Sequence, residues 1–397
     1  VSSATTRMRF CSTAIAVSAL VLVGCSTTVR GTPVADEAAV AAQLDVGSYP
    51  KKPRTIATPN DSTARALEAS RLADTVPLLR EIDPALRYGG GGYLGDRGAL
   101  KLSLSVSSSL SDAVGDFELG ATFSANDHKP GTTGNRTREL TVAVVRMASR
   151  EAAAKAVASP EFLKPGRYPD TEERPVSLPD RPSAVAFSTE WKTLKNWSVE
   201  AIMQVGEYVV GGFAAAPTVA ESAKYLSDFL GRQQKNLETF ASTPLDRLGT
   251  LKADPEGIVR LTLPSTAAGV WATSVSALGR STDIEFAQRA FTETGVDLVG
   301  YGGNSVYRTR DAAAARVLAD KEDEWNRSTY PAGSVPTTIT VAPGARCWTH
   351  PEFEGSKDTT TQCAVARGRY VAFITDGQTT KALQAANASY LVLGEAD

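Results

Sequence analysis

The chain carries two histidines, His128 and His350. That is too few for one chain to build a metal centre with three His ligands. A Ser-His-Asp triad would need one of them held and partly buried. His128 stands in the polar run Asn126-Asp127-His128-Lys129-Pro130-Gly131, and His350 stands beside Pro351. Neither lies in a G-x-S-x-G or H-E-x-x-H setting, so both read as surface residues. Gly90-Gly91-Gly92-Tyr93-Leu94-Gly95 matches G-x-G-x-x-G. A dinucleotide site needs a strand before that motif and a helix after it. Here Asp83-Pro84 precedes, and the following Leu100-Lys101-Leu102-Ser103-Leu104-Ser105-Val106 alternates like a strand. The glycines therefore read as a flexible turn, or at most a ligand-gating loop with Arg87, Tyr88 and Tyr93 as speculative ligand contacts. Lys321-Glu322-Asp323-Glu324 could supply paired carboxylates, but at a helix end it reads more simply as a solvated face. Trp191, Trp197, Trp271, Trp325 and Trp348 could line an apolar or glycan-binding groove; scattered as they are, they read as core or edge packing. These patterns predict no cofactor, no metal site and no catalytic residue.

The cysteines are more informative. Arg7 and Arg9 precede an apolar run from about Phe10 to Val23, too short for a permanent spanning helix. It ends in Leu22-Val23-Gly24-Cys25, which resembles a bacterial lipobox. In such signals the Cys thiol takes a diacylglyceryl group as a thioether, and a peptidase with a small subsite cuts after the small residue. Residues 1–24 are thus predicted to be a lipoprotein signal peptide and Cys25 the lipidation site. Val1 fits a GUG start, with Met8 as the alternative. The expected location is the extracytoplasmic face of the cell membrane, held there by the lipid. Cys11 would leave with the signal. The remaining pair, Cys347 and Cys363, is expected to form a disulfide in an exported protein. Closing a loop of that size contributes about 3 kcal/mol in the chain-entropy model.

Composition bounds the rest. The 397 residues can build two ordinary domains, and 42% apolar with 22% charged residues suits a soluble globular body. The net charge of −2 argues against a nucleic-acid surface. Residues 25–58, rich in Ser, Thr, Pro, Ala and Val, read as the lipidated Cys and an extended spacer, with a short helix possible over Ala38–Leu44. A helix is predicted over 64–73, capped by Ser62 or Thr63. Its apolar positions form an imperfect stripe.

Beyond it the chain repeats itself at a period near 160. The β-rich run Leu140–Met147 leads into Ser149-Arg150-Glu151-Ala152-Ala153-Ala154. Val306-Tyr307-Arg308 leads likewise into Thr309-Arg310-Asp311-Ala312-Ala313-Ala314. Each is read as a Ser/Thr N-cap followed by Arg, an acid in the first turn and alanines. Gly206-Glu207-Tyr208-Val209-Val210 parallels Gly368-Arg369-Tyr370-Val371-Ala372, each a hairpin turn and return strand. Helices follow over Val219–Leu237 and Thr379–Leu393. At an offset of 162, Cys363 falls on Ala201, so only the second copy carries the cysteine pair. The expected fold is α+β: two similar subdomains from an internal duplication, each a mainly antiparallel sheet with packed helices, over residues 59–242 and 243–397.

The lipobox, Leu44-Asp45-Val46-Gly47-Ser48-Tyr49-Pro50, Leu67-Glu68-Ala69-Ser70-Arg71-Leu72-Ala73, Glu81-Ile82-Asp83-Pro84, Gly295-Val296-Asp297 and Val306–Ala314 occur in that order. Together they resemble an uncharacterised family of lipoproteins from mycobacteria, nocardiae and rhodococci. The resemblance implies a lipid-anchored envelope protein and no particular activity. The expected function is a binding module for an envelope ligand or partner protein, with the groove between the halves as its site. A hydrolase acting on cell wall or lipid through carboxylates, and a structural or assembly lipoprotein, are the alternatives.

Overall fold

A computed structural model describes residues 37–94, 108–115, 117–132, 134–163, 171–192, 196–330, 341–352 and 356–396. The predicted signal peptide, Cys25 and the Leu100–Val106 run lie outside these residues.

The first half contains α1 (Glu37–Gln43), α2 (Asp61–Ala73), β1 (Tyr88–Leu94), α3 (Ser108–Ala113), β2 (Leu119–Asn126), β3 (Glu139–Arg146), α4 (Arg150–Val157), α5 (Pro160–Leu163), β4 (Glu173–Pro175), β5 (Val185–Trp191), β6 (Asn196–Val205), β7 (Tyr208–Ala216) and α6 (Val219–Thr239). The second contains β8 (Val270–Thr273), α7 (Ser274–Gly279), α8 (Ile284–Thr294), β9 (Leu298–Tyr301), β10 (Ser305–Arg308), α9 (Ala312–Thr329), β11 (Arg346–Pro351), β12 (Thr359–Arg367), β13 (Tyr370–Asp376) and α10 (Thr379–Leu393). Among the described residues the chain forms two antiparallel sheets, ordered β1-β2-β3-β7-β6-β5-β4 and β8-β9-β10-β13-β12-β11 from corresponding edges. Their topology is the same apart from the extra edge strand β4.

The repeat holds at the level of register. The offset of 162 carries the pair Val144↔Val210 onto Val306↔Ala372, and Ala201↔Gly212 onto Cys363↔Ile374. Both return hairpins use two-residue loops in which the glycine alone takes positive φ, +61° at Gly206 and +54° at Gly368. That geometry matches the strand twist. Opposite Ala201 stands Ala186; opposite Cys363 stands Cys347, and the two sulfurs are bonded, with Cα atoms 4.1 Å apart. The bond ties edge strand β11 to β12.

Four local expectations are corrected. Ser149 caps α4 as expected, but α9 is capped by Asp311, which accepts from the Ala314 N–H at 2.8 Å; Thr309 instead bonds the Arg369 carbonyl. Asn60, not Ser62 or Thr63, caps α2. The segment expected as a free spacer folds back in part: Leu44 and Val46 are buried in the second core, and Arg54 donates to the Val259 carbonyl and the Thr262 hydroxyl. Finally, the glycines of 89–92 form strand β1 rather than a turn, and none has positive φ. Close approach explains two of them, since a Cβ at Gly89 would sit 1.9 Å from the Ser124 carbonyl and one at Gly91 2.4 Å from that of Thr122, whereas one at Gly90 would meet nothing within 4 Å.

Helix α2 holds the halves together, which accounts for its imperfect stripe. Ala64, Ala69 and Leu72 pack into the first core, while Ala66 and Leu67 pack on Ala253 and Val270. Its polar residues are engaged as well. Buried Glu68 accepts from the Thr243 N–H at 2.7 Å, and Ser70 donates to the Trp271 carbonyl at 2.7 Å. A helix buried on opposite sides has no single apolar face to display in sequence.

Candidate functional site

The start of β1 docks against the N-terminus of α8. Gly89 donates to the Thr282 carbonyl and Ile284 to that of Arg87, a short antiparallel bridge between the halves. Asp283 caps α8 by accepting from the Phe286 N–H at 2.9 Å. The Arg87 guanidinium grips both its oxygens, at 3.0 and 2.8 Å, and Trp325 Nε1 lies 3.3 Å from Oδ2. Burial pushes the Asp283 carboxyl up, but the Arg87 hydrogen bonds, the Phe286 N–H and the Arg87 charge outweigh it and hold the pKa below the ordinary value. Arg87 also pairs with Glu285 at 2.7 Å.

Around this clamp opens a cleft. Its outer part, about 500 Å³, is lined by Arg87, Tyr88 and Lys129 from the first half and by Asp283, Phe286, Arg289, Lys321, Glu324 and Trp325 from the second. Asp283, Phe286, Ala290 and Trp325 also line an inner cavity of about 170 Å³ between α8 and α9. The floor of that cavity is the sheet face at Tyr307 and Phe373, whose rings meet edge to face at 4.9 Å. Arg280, Ser281, Thr282, Phe291, Leu318 and Glu322 complete it.

Glu322 corrects the solvated-face expectation for 321–324. It is half-buried and lines the cavity, and burial pushes its carboxyl up to about 7. Its neighbours are taken: Lys321 pairs with Glu293 at 2.9 Å and Asp323 with Arg327 at 2.9 Å. Arg280 lies over the Tyr301 ring at 3.7 Å and near that of Tyr93 at 5.6 Å. Burial raises the Tyr307 phenol far above its usual range, with the neighbouring Tyr301 and Glu322 adding to the shift and Arg280 opposing it.

The three speculative contacts part company. Arg87 and Tyr88 face the outer cleft, and Arg87 is committed to Asp283 and Glu285. Tyr93 bonds the Ala268 carbonyl at 3.2 Å and meets the site only through Arg280. Of the tryptophans, Trp325 lines the cavity. His350 is buried, not at the surface: its ring stacks on Tyr330 at 4.0 Å, and Nδ1 lies 2.7 Å from the Pro351 carbonyl. His128 is half-buried, with Nε2 3.1 Å from the Thr132 carbonyl.

With the geometry described, likeness to known proteins can be placed. The N-terminal model of a domain of unknown function, DUF7373, matches residues 55–253, and its C-terminal model matches residues 248–396. The chain belongs to the DUF7373 family. The two DUF7373 parts meet close to the end of α6, where the first sheet is complete. No curated protein matches the chain. Among solved structures, the extracellular domain of PknH from Mycobacterium tuberculosis is similar at 9% identity and a TM-score of 0.28, over 46% of this chain and 97% of that one.

Sequence reasoning missed Arg280, Tyr307 and Glu322 in this DUF7373 chain. One signal was present. Leu318, Glu322 and Trp325 follow one another at helical spacing, which sets a carboxylate inside an apolar stripe.

Proposed function

We propose that the chain is an exported, lipid-anchored protein of an actinobacterial cell envelope that binds a small envelope ligand where its halves meet. One observation carries the binding site: the outer cleft takes its walls from both halves and opens into an aromatic inner cavity. Ligand sites favour such junctions. The address rests on the Leu22-Val23-Gly24-Cys25 signal and is supported by the Cys347–Cys363 bond, which belongs in an oxidising compartment. Two facts weigh against the alternatives. A hydrolase in the inner cavity would need a second carboxylate free to act with Glu322, whereas Asp283, the other carboxylate lining that cavity, spends its lone pairs on Arg87, Phe286 and Trp325. An assembly surface would need a broad apolar patch, whereas the exposed large apolar side chains among the described residues, Leu163, Val275 and Val317, lie on three different helices.

Native mass spectrometry of the protein purified from an actinobacterial host tests the binding function. A reproducible extra mass that is lost on organic extraction is expected; a clean unliganded mass, with no ligand recovered by extraction, would overturn a tightly held ligand. Cys25→Ala tests the address. The variant should stay unlipidated and uncut by the lipoprotein peptidase, and normal membrane anchoring would refute the lipobox.

A further inference from the structure

Two charges in the inner cavity have no salt bridge or hydrogen bond among the described residues. One is the Glu322 carboxylate and the other the Arg280 guanidinium, which is held only against the rings of Tyr301 and Tyr93. They do not neutralise each other. Burial pushes the Glu322 carboxyl up, and no ion pair joins it to Arg280 among the described residues, although both groups line the cavity floored by Tyr307. The cavity is therefore lined by an acid, a cation and the aromatic rings of Phe286, Phe291, Tyr307, Trp325 and Phe373. Leaving two such groups unpaired is costly, and a ligand with the complementary charges would remove both costs. Aromatic faces also favour an ammonium.

We propose that this cavity binds a compact zwitterion, its ammonium on Glu322 among the aromatic rings and its anionic group on Arg280. The proposal rests on the cleft being the ligand site and names the chemistry recognised there. A cavity of about 170 Å³ is close to one that holds benzene, so the ligand has about six to eight non-hydrogen atoms. An ω-amino acid and a phosphoethanolamine group share that chemistry.

Calorimetric titration of the full chain in detergent tests it, with 4-aminobutanoate and O-phosphoethanolamine as zwitterions and butylamine and butanoate as their halves. At least one zwitterion should bind about tenfold more tightly than either half. The stronger of the two identifies the source, a carboxylate pointing to a free amino acid and a phosphate to a lipid headgroup. Glu322→Gln should weaken the zwitterion and butylamine and spare butanoate; Arg280→Gln should weaken the zwitterion and butanoate and spare butylamine. Halves that bind as tightly as the zwitterions would overturn the proposal without recourse to any variant. So would the failure of both zwitterions at about 10 mM, or variants that weaken both halves alike. If a carried ligand is found by mass spectrometry while both zwitterions fail, the cleft remains a binding site and only the zwitterion is refuted.

Discussion

Tyr307 and Phe373 stand in the second copy where the offset of 162 places Val145 and Gly211 in the first. The strands beneath them pair in the same register, yet the faces differ. In the first copy Leu110 and Phe162 pack onto Val145, Ile202 and Val209 of the sheet, and Leu110 Cδ1 lies 3.4 Å from where a Cβ on Gly211 would be. In the second, the aromatic pair floors a cavity between α8 and α9 that Glu322 and Arg280 also line. Small side chains let a helix settle onto a sheet, while large rings prop it off. One copy thus has a filled sheet face and the other a hollow one.

The largest test of that contrast is core truncation. Phe162→Ala in the closed face should cost about 4 kcal/mol in denaturant unfolding, because nothing there can collapse into the gap. Phe291→Ala, beside the existing cavity, should cost less, about 3 kcal/mol. Equal losses would mean that the two faces are packed alike.

Next in size is the bond that only the second copy has. Replacing both Cys347 and Cys363 by Ala should cost about 3 kcal/mol. Hydrogen exchange should rise in β11 and leave β5, its counterpart, unchanged. A loss of protection spread over both sheets would show that the copies do not open separately.

The smallest effect has the opposite sign. Burial holds the Glu322 carboxyl near 7 against an ordinary 4.5. Its protonated form therefore favours the fold fully below pH 4.5, and that contribution fades as the pH climbs through 7. Gln cannot ionise, so Glu322→Gln should match the parent near about pH 4 and gain stability on it as the pH rises to about 8, by less than the full shift implies because Glu322 is only half-buried. A variant no more stable at either pH would place Glu322 in water.

Much of the architecture was legible because it depends on local pattern. Turn glycines with a return strand and an N-cap before alanines are short-range signals, and their recurrence at an offset of 162 points to two matching antiparallel halves. The errors share one cause. The glycines of the Gly90–Gly95 motif read as a turn because glycine usually marks one, whereas in β1 alternate glycines, Gly89 and Gly91, permit close approach to β2. His350 and Glu322 were placed in water because polar residues usually are, whereas each is covered by elements far away in the chain. Arg280 sits in no motif at all, and its meaning comes from Tyr93, Tyr301 and Tyr307 gathered around it.

By itself the sequence determined the duplication, the fold class and the cysteine pair, since each is written in spacing along the chain. Tertiary structure alone decided where the halves touch, that Arg87 serves to clamp Asp283, and that one sheet face is filled while its twin is hollow. A cavity is the space that packing leaves over, so it depends on side chains from several strands and helices at once and on no run of neighbouring residues.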